Sequence, residues 1–191
     1  MDIDVTISGV TPLLCHNFTD AAQQEATEGT RPSTNNDRGS AREQAEALLY
    51  LDNNGRPVIP AANLLRAIID AGTYFKVGRS KITTQRSSIV PACVAVDPIV
   101  LPIKSKHPWA VDSRPVRMPA TGGRILRHRP MFEDWSLAFR IDLDPDLITP
   151  KLLRNLVDAA GKRVGLGDFR PFCKGPFGRF VVTKWAEREA K

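Results

Sequence analysis

Between Gly165 and Phe180 the chain reads Gly-Leu-Gly-Asp-Phe-Arg-Pro-Phe-Cys-Lys-Gly-Pro-Phe-Gly-Arg-Phe. Its four glycines allow φ > 0 and let another backbone approach closely. Arg170, Lys174 and Arg179 supply charge that suits phosphate, and Phe169, Phe172 and Phe177 supply faces on which a base can stack. A loop of this composition can hold a polyanion with unpaired bases. It can equally be a structural turn between a helix and an edge strand, because glycine motifs without context are weak signals.

Two other stretches carry similar charge. From Lys104 to Pro130 the chain holds Lys104, Lys106, Arg114, Arg117, Arg124, Arg127 and Arg129, and the only acid is Asp112. Lys76, Arg79, Lys81 and Arg86 form a second basic stretch. In a segment poor in acids such cations repel one another unless they are spread out or neutralised. A phosphate backbone would neutralise them and release its counterions. Trp109, Phe132 and Trp135 flank the longer stretch as further stacking candidates, Trp135 being equally suited to a core. The formal net charge of +6 points the same way.

Signals for catalysis are sparse. His16 could act as an acid or base near its natural pKa. His128, between Arg127 and Arg129, suits a phosphate or base contact. Asp20 and Asp37 are loop carboxylates without a motif around them. There is no nucleophile elbow and no Walker-type Gly-Lys-Ser/Thr. Cys15, Cys93 and Cys173 are odd in number and far apart, so free thiols are expected rather than a zinc knuckle or a disulfide framework. The expectation is a non-catalytic protein with no metal and no cofactor. No apolar run is long enough to span a bilayer and no signal peptide is visible, so a cytoplasmic location is expected.

The elements that must position these residues follow from periodicity. At 191 residues, one domain with long insertions is expected. Residues 3–10 alternate as a half-buried strand. Residues 17–42 read as a long projecting loop. Asp52-Asn53-Asn54-Gly55 is a turn signature closing a short hairpin on Pro57–Pro60. Leu64, Leu65, Ile68 and Ile69 stripe a helix that Gly72 would stop. Residues 88–102 read as β-rich and broken by prolines, and 104–130 as a second long irregular segment. Residues 135–143 alternate cleanly. Thr149-Pro150 opens a helix whose apolar face holds Leu152, Leu153, Leu156, Val157 and Ala160, with Gly161 as its stop. A strand from 179 to 185 ends the order. Without the loops this is βαββαβ, an α+β chain with the ferredoxin-like or RRM-like order: one antiparallel sheet with two helices on one face.

Two segments together resemble the RAMP superfamily, the ferredoxin-like RNA-binding proteins of CRISPR systems. One is Asp52–Ala67, with Val58-Ile59-Pro60-Ala61-Ala62-Asn63-Leu64-Leu65-Arg66 as a strand, Ile-Pro, small residues and a helix. The other is Gly175-Pro176-Phe177-Gly178-Arg179-Phe180, ahead of the last strand. The family usually has Gly-Ser where this chain has Ala61-Ala62-Asn63. The resemblance implies a subunit like those that coat guide RNA, with 17–42 and 104–130 in the place of their inserted loops. It implies single-stranded RNA or DNA as ligand, self-association along the strand and possible partnership with other effector subunits. It also leaves open a metal-independent endoribonuclease that would use His16. A third reading, an assembly protein whose basic loops meet acidic partners, needs no nucleic acid. The candidate contacts are Lys76, Arg79, Lys81, Arg114, Arg117, Arg124, Arg127, Arg129, Phe169, Arg170, Lys174, Phe177 and Arg179.

Overall fold

The computed structural model describes residues 1–18, 39–117 and 122–188. In chain order the strands are β1 (Asp2–Gly9), β2 (Leu13–Leu14), β3 (Val58–Pro60), β4 (Lys76–Val77), β5 (Ser80–Lys81), β6 (Val94–Asp97), β7 (Val100–Pro102), β8 (Lys104–Ser105), β9 (Ala110–Arg117), β10 (Arg124–Phe132), β11 (Trp135–Leu143) and β12 (Phe180–Arg188). The helices are α1 (Ala41–Glu46), α2 (Ala61–Ala71), α3 (Val90–Cys93) and α4 (Pro150–Ala159). The chain is thus α+β, with antiparallel sheets.

The main sheet runs β12-β1-β11-β6, every neighbour antiparallel. Period-two alternation decides which face is covered. In β1 the buried residues are Ile3, Val5 and Ile7, opposite Ile141, Phe139 and Leu137 of β11. Leu64, Ala67 and Ile68 of α2 and Leu153, Leu156 and Val157 of α4 join the same core, so both helices cover that face. The other face carries Asp2, Asp4, Thr6 and Ser8 of β1 beside Asp142, Arg140, Ala138 and Ser136 of β11. β12 follows β1 with a bulge between Thr6 and Ile7.

Both main helices start where the sequence places them. Thr149 caps α4 by accepting from the Leu152 N–H (3.3 Å), and Pro150 takes the first position, where its missing N–H costs nothing. Their ends differ from expectation. α2 stops at Ala71 but continues as a 3₁₀ turn, Gly72–Tyr74, so Gly72 keeps helical dihedrals. Gly161 does not stop α4 either; a π turn, Ala160–Val164, extends it, closed by the Gly165 N–H on the Ala160 carbonyl (2.7 Å). What Gly161 supplies is space, because a Cβ there would run into the Phe180 carbonyl and ring.

Two expected segments are corrected. Of the β-rich stretch 88–102, only Val94–Asp97 joins the main sheet; α3 precedes it, the Asp97–Pro98 peptide is cis, and β7 pairs with β3 instead. Among the described residues the stretch 104–130 is mostly strand. It forms β8 and the long hairpin β9–β10, which with β2 makes a second sheet, β2-β10-β9. Sequence alternation is weak there because β9 exposes most of both faces. Pro115 is tolerated because β9 is an edge strand. The basic stretch after α2 is likewise a hairpin, β4–β5, turned at Gly78. Of the expected loop 17–42, residues 19–38 lie outside the described residues. Its end, Ser40, caps α1 in a capping box with Glu43. Arg42 of α1 lies 3.4 Å from the Trp109 ring centre and donates to the Trp109 carbonyl (3.3 Å), which seats α1 beside the foot of β9.

Gly161→Ala should destabilise the protein by about 1–3 kcal/mol, the usual cost of overpacking. Urea unfolding followed by tryptophan fluorescence measures it. A loss under about 0.5 kcal/mol would mean that β12 gives way freely.

Candidate nucleic-acid interface

Cys15 and His16, which follow β2, line a groove of about 240 Å³. Tyr50 lines it from the segment ahead of β3, Ile59 from β3, Asn63 and Arg66 from the first turns of α2, and Gly165–Asp168 with Arg170 from the Gly-rich loop. The loop is pinned there by main-chain bonds. The Asp168 N–H donates to the Leu14 carbonyl (2.8 Å) and the Gly178 N–H to the Pro12 carbonyl (2.8 Å). Gly178 (φ +68°) and Gly167 (φ +73°) have left-handed backbones, and a Cβ would overlap the carbonyls of Leu166 and Leu14 respectively. These glycines therefore admit the protein's own backbone, and the loop's structural reading holds at both positions.

The charged centre of the groove is Asp168, the single acid of the loop. Its Oδ2 lies 3.2 Å from His16 Nδ1 and 2.6 Å from Arg129 Nε, and its Oδ1 accepts from the Phe169 N–H (2.8 Å). The Arg129 contact is a charge contact; the Nε–H is not aligned on the oxygen and makes no hydrogen bond. Partial burial works against the Asp168 charge. The His16 hydrogen bond, the Arg129 guanidinium and the Phe169 N–H outweigh it and hold the pKa at about 2. With Asp168 ionised, His16 Nδ1 carries the proton of their bond, which leaves Nε2 for a ligand. Tyr50 donates its hydroxyl to the His16 carbonyl (3.2 Å). Burial, foremost, raises the Tyr50 pKa, and burial raises that of Cys15 to about 12. Neither is an ionised nucleophile at neutral pH. Among the described residues no cluster of His, Cys, Asp and Glu is placed to hold a metal.

The hairpin β9–β10 stands against this loop. Its register sets Asp112 opposite Arg129, Arg114 opposite Arg127, and Arg117 opposite Arg124. Partners across a ladder share a face and successive pairs alternate, so Asp112, Arg114, Arg127 and Arg129 lie on one face and Arg117 and Arg124 on the other. On the first face Arg114 Nε bonds Asp112 Oδ1 (2.7 Å), and its guanidinium sits 4.6 Å from the Phe177 ring centre. On the second, His128 bonds Ser113 (2.7 Å).

The predicted contacts fall into three groups. Arg114 and Arg129 of the hairpin meet the loop at Phe177 and Asp168, Arg127 stands opposite Arg114 on the same face, and Arg117 and Arg124 sit at the hairpin's outer end. Lys76, Arg79 and Lys81 occupy β4–β5 at the opposite end of α2 from the groove, with Lys76 directly opposite Lys81. Phe169 and Lys174 are exposed and hold positive φ (47° and 63°). Arg170 lines the groove and donates to the Gly167 carbonyl (3.0 Å), and Arg179 is exposed. Two of them are buried: Phe177, 6 % exposed, packs under Arg114 and Phe169, and Arg129, 7 % exposed, is held inside against Asp168. Phe132 and Trp135 are core, and Trp109 lies under Arg42. Asp20 and Asp37 lie outside the described residues.

Asp168 and Tyr50 were not singled out in the sequence, and Asn63 and Arg66 entered only as members of the Ile-Pro segment, not as site residues. Asp168 carried one signal, a lone acid in a glycine-rich basic loop. The others are ordinary residues of a hairpin and a helix until the fold turns them to the groove. The uncovered face of the main sheet shows no aromatic on β1 or β11, so it lacks the stacking platform by which RRM sheets hold bases.

No family model matches the sequence, and no curated protein does. Among solved structures, a chain of the cryo-EM structure of the Type III-B Cmr-beta bound to cognate target RNA matches with a TM-score of 0.57 and 13% identity. The match covers 96% of this chain and 59% of that one. The likeness is one of fold. Among the described residues no helix is long and apolar enough to cross a membrane.

A carboxylate whose pKa lies below its ordinary value stabilises the fold fully above that ordinary value, and the contribution fades as pH falls through the native one. Asp168→Asn should therefore lower stability at pH 7. The gap to wild type should close between about pH 4 and pH 2, as read by urea titrations across that range. A gap independent of pH would mean that the carboxylate's charge is not what ties the loop.

Proposed function

We propose that this chain binds single-stranded nucleic acid, RNA foremost, as a RAMP-type domain that assembles along the strand beside further copies or other subunits. The sheet order β12-β1-β11-β6, with α2 and α4 as the crossovers on one face, supports the ferredoxin-like topology within that reading. Ile59, Asn63 and Arg66 of the Ile-Pro segment and residues 165–168 and 170 of the Gly-rich loop line one groove, so the two segments that carry the resemblance meet. The fold likeness to a chain of an RNA-bound assembly is in keeping with it.

The observation that carries the reading is the opposition of like charges. Arg117 faces Arg124 across β9–β10, and Lys76 faces Lys81 across β4–β5, all four exposed. Like charges directly opposite in a ladder destabilise it. No acid pairs with these four among the described residues. A phosphate backbone would relieve both pairs, and phosphate recognition of this kind carries no base preference. Assembly is the part carried by the resemblance alone, and mass photometry on oligonucleotides of increasing length reads it. The first long loop, its expected agent, falls on residues outside the described ones.

Binding of a labelled single strand, followed by fluorescence anisotropy across a salt series, tests the reading. Arg117→Gln with Arg124→Gln should weaken binding to RNA of every sequence alike. It should flatten the salt slope by about 0.7 for each phosphate that the variant no longer neutralises. An unchanged slope with the fold intact would remove the hairpin from the interface.

One observation favours a second reading, metal-independent RNA cleavage. Asp168 takes the Nδ1 proton side of His16, so an unprotonated Nε2 could take the proton of a ribose 2′-hydroxyl as its oxygen attacks the adjacent phosphorus, and return it to the departing 5′-oxygen. Cleavage of RNA but not DNA in EDTA, abolished in His16→Asn, is the expected result. Intact RNA with wild-type protein would leave binding alone.

A further inference from the structure

Asp112 and Arg129 face each other across β9–β10, both buried (6 % and 7 % exposed), and each has a polar atom without a hydrogen-bond partner: Asp112 Oδ2 and Arg129 Nε. Buried polar atoms are rarely left so. Each residue is engaged elsewhere. Asp112 Oδ1 holds Arg114, and Arg129 lies against Asp168, which holds His16. Arg114, Asp112, Arg129, Asp168 and His16 thus form a line from the hairpin surface to the groove. Arg114 is its outermost cation, with a side chain 46% exposed.

We infer that Asp112 and Arg114 are positioning residues that tie the hairpin's ligand state to the groove: when an anion takes Arg114, Asp112 claims Arg129, and His16 and Asp168 are released from it. Directly opposed residues of an antiparallel ladder have Cβ atoms about 4.5–5.5 Å apart, so the exchange needs only a turn of the Arg129 side chain. The planar guanidinium has five donors and can pass from one carboxylate to the other without losing its charge. A buried carboxylate that loses its cation must find another or be protonated. Arg129 is the cation within reach. The anion that draws Arg114 away is, on the reading above, a phosphate of the bound strand, and the inference rests on that reading for its trigger alone.

The test needs no ligand at first. Ring nitrogens of His16 are followed by NMR in ¹⁵N-histidine-labelled protein, with His16→Gln giving the assignment and His107 serving as a remote control. Arg114→Gln mimics withdrawal of the cation and should move the His16 signals. Arg114→Lys keeps a cation beside Asp112 and should leave them near wild type. Adding Asp112→Asn to Arg114→Gln should return them, because the amide does not compel Arg129 to move. A 20-nucleotide oligouridine added to wild type should move them in the same direction as Arg114→Gln. Unmoved His16 signals in Arg114→Gln would overturn the inference, as would an equal shift in the double variant. Should the double variant fail to fold, the contrast between Arg114→Gln and Arg114→Lys decides, and equal shifts in those two overturn it. If the variants behave as expected but wild type binds no oligouridine, the relay stands and the nucleic-acid reading falls.

Discussion

On the carboxylate of Asp168 three separately built parts of the molecule meet: the Gly-rich loop that carries it, the Arg129 side chain from β10, and His16 just after β2. A half-buried carboxylate between two basic groups keeps its charge against desolvation, and that charge holds the second sheet to the loop. The loop's glycines make the approach possible, since the Leu14 and Leu166 carbonyls occupy the space where Cβ atoms would stand. Without Asp168, Arg129 would lose the anion it lies against, and breaking a buried pair costs about 3–5 kcal/mol. The groove is a consequence of this tie.

Charge is managed differently on the two sides of that centre. Inside, each buried charge has an opposite one nearby: Arg129 with Asp168, Asp112 with Arg114. Outside, at the end of β9–β10 and along β4–β5, like charges are set against each other. The contrast divides the cations into inner ones with an acid beside them and outer ones that no acid meets among the described residues. It also separates two kinds of aromatic. Phe177 and Trp135 are packed away, while Phe169 and Phe172 stay exposed beside Arg170 and Lys174. The hairpin β9–β10 and the Gly-rich loop stand beside the groove, and β4–β5 stands at the far end of α2 from it. The open sheet face carries aspartates, serines and a threonine instead.

Coupling between hairpin and groove follows from how short the buried line of charges is. Interiors are densely packed, so a change at one end of such a line must be taken up by discrete rearrangement rather than by continuous drift. Arg129 is the element with two available partners. Its position on a strand, opposite Asp112, makes both partners reachable without moving the backbone.

The main sheet and its two helices were legible in the sequence because periodicity carries them. Ile3, Val5 and Ile7, the alternation of 135–143 and the stripes of α2 and α4 report burial on one face, and burial on one face is local information. Thr149-Pro150 and Asp52–Gly55 were readable for the same reason, since caps and turns are made by neighbours. The hairpin β9–β10 was not, because β9 exposes most of both faces and leaves no alternation to see. Nor could the sequence separate Arg129 from Arg124 and Arg127, or Phe177 from Phe169. Arg124 lies on the other face from Arg129, Arg127 shares its face two residues further along, and the two phenylalanines sit in an irregular loop, so what packs against each decides which is interior. Sequence by itself determined the α+β element order and the basic, glycine-rich character of the candidate surface. Only the tertiary structure decided that Asp168, 152 positions from His16, would meet it and Arg129 in one groove. That meeting depends on contacts between distant segments, whose cost and reward do not register in any local pattern.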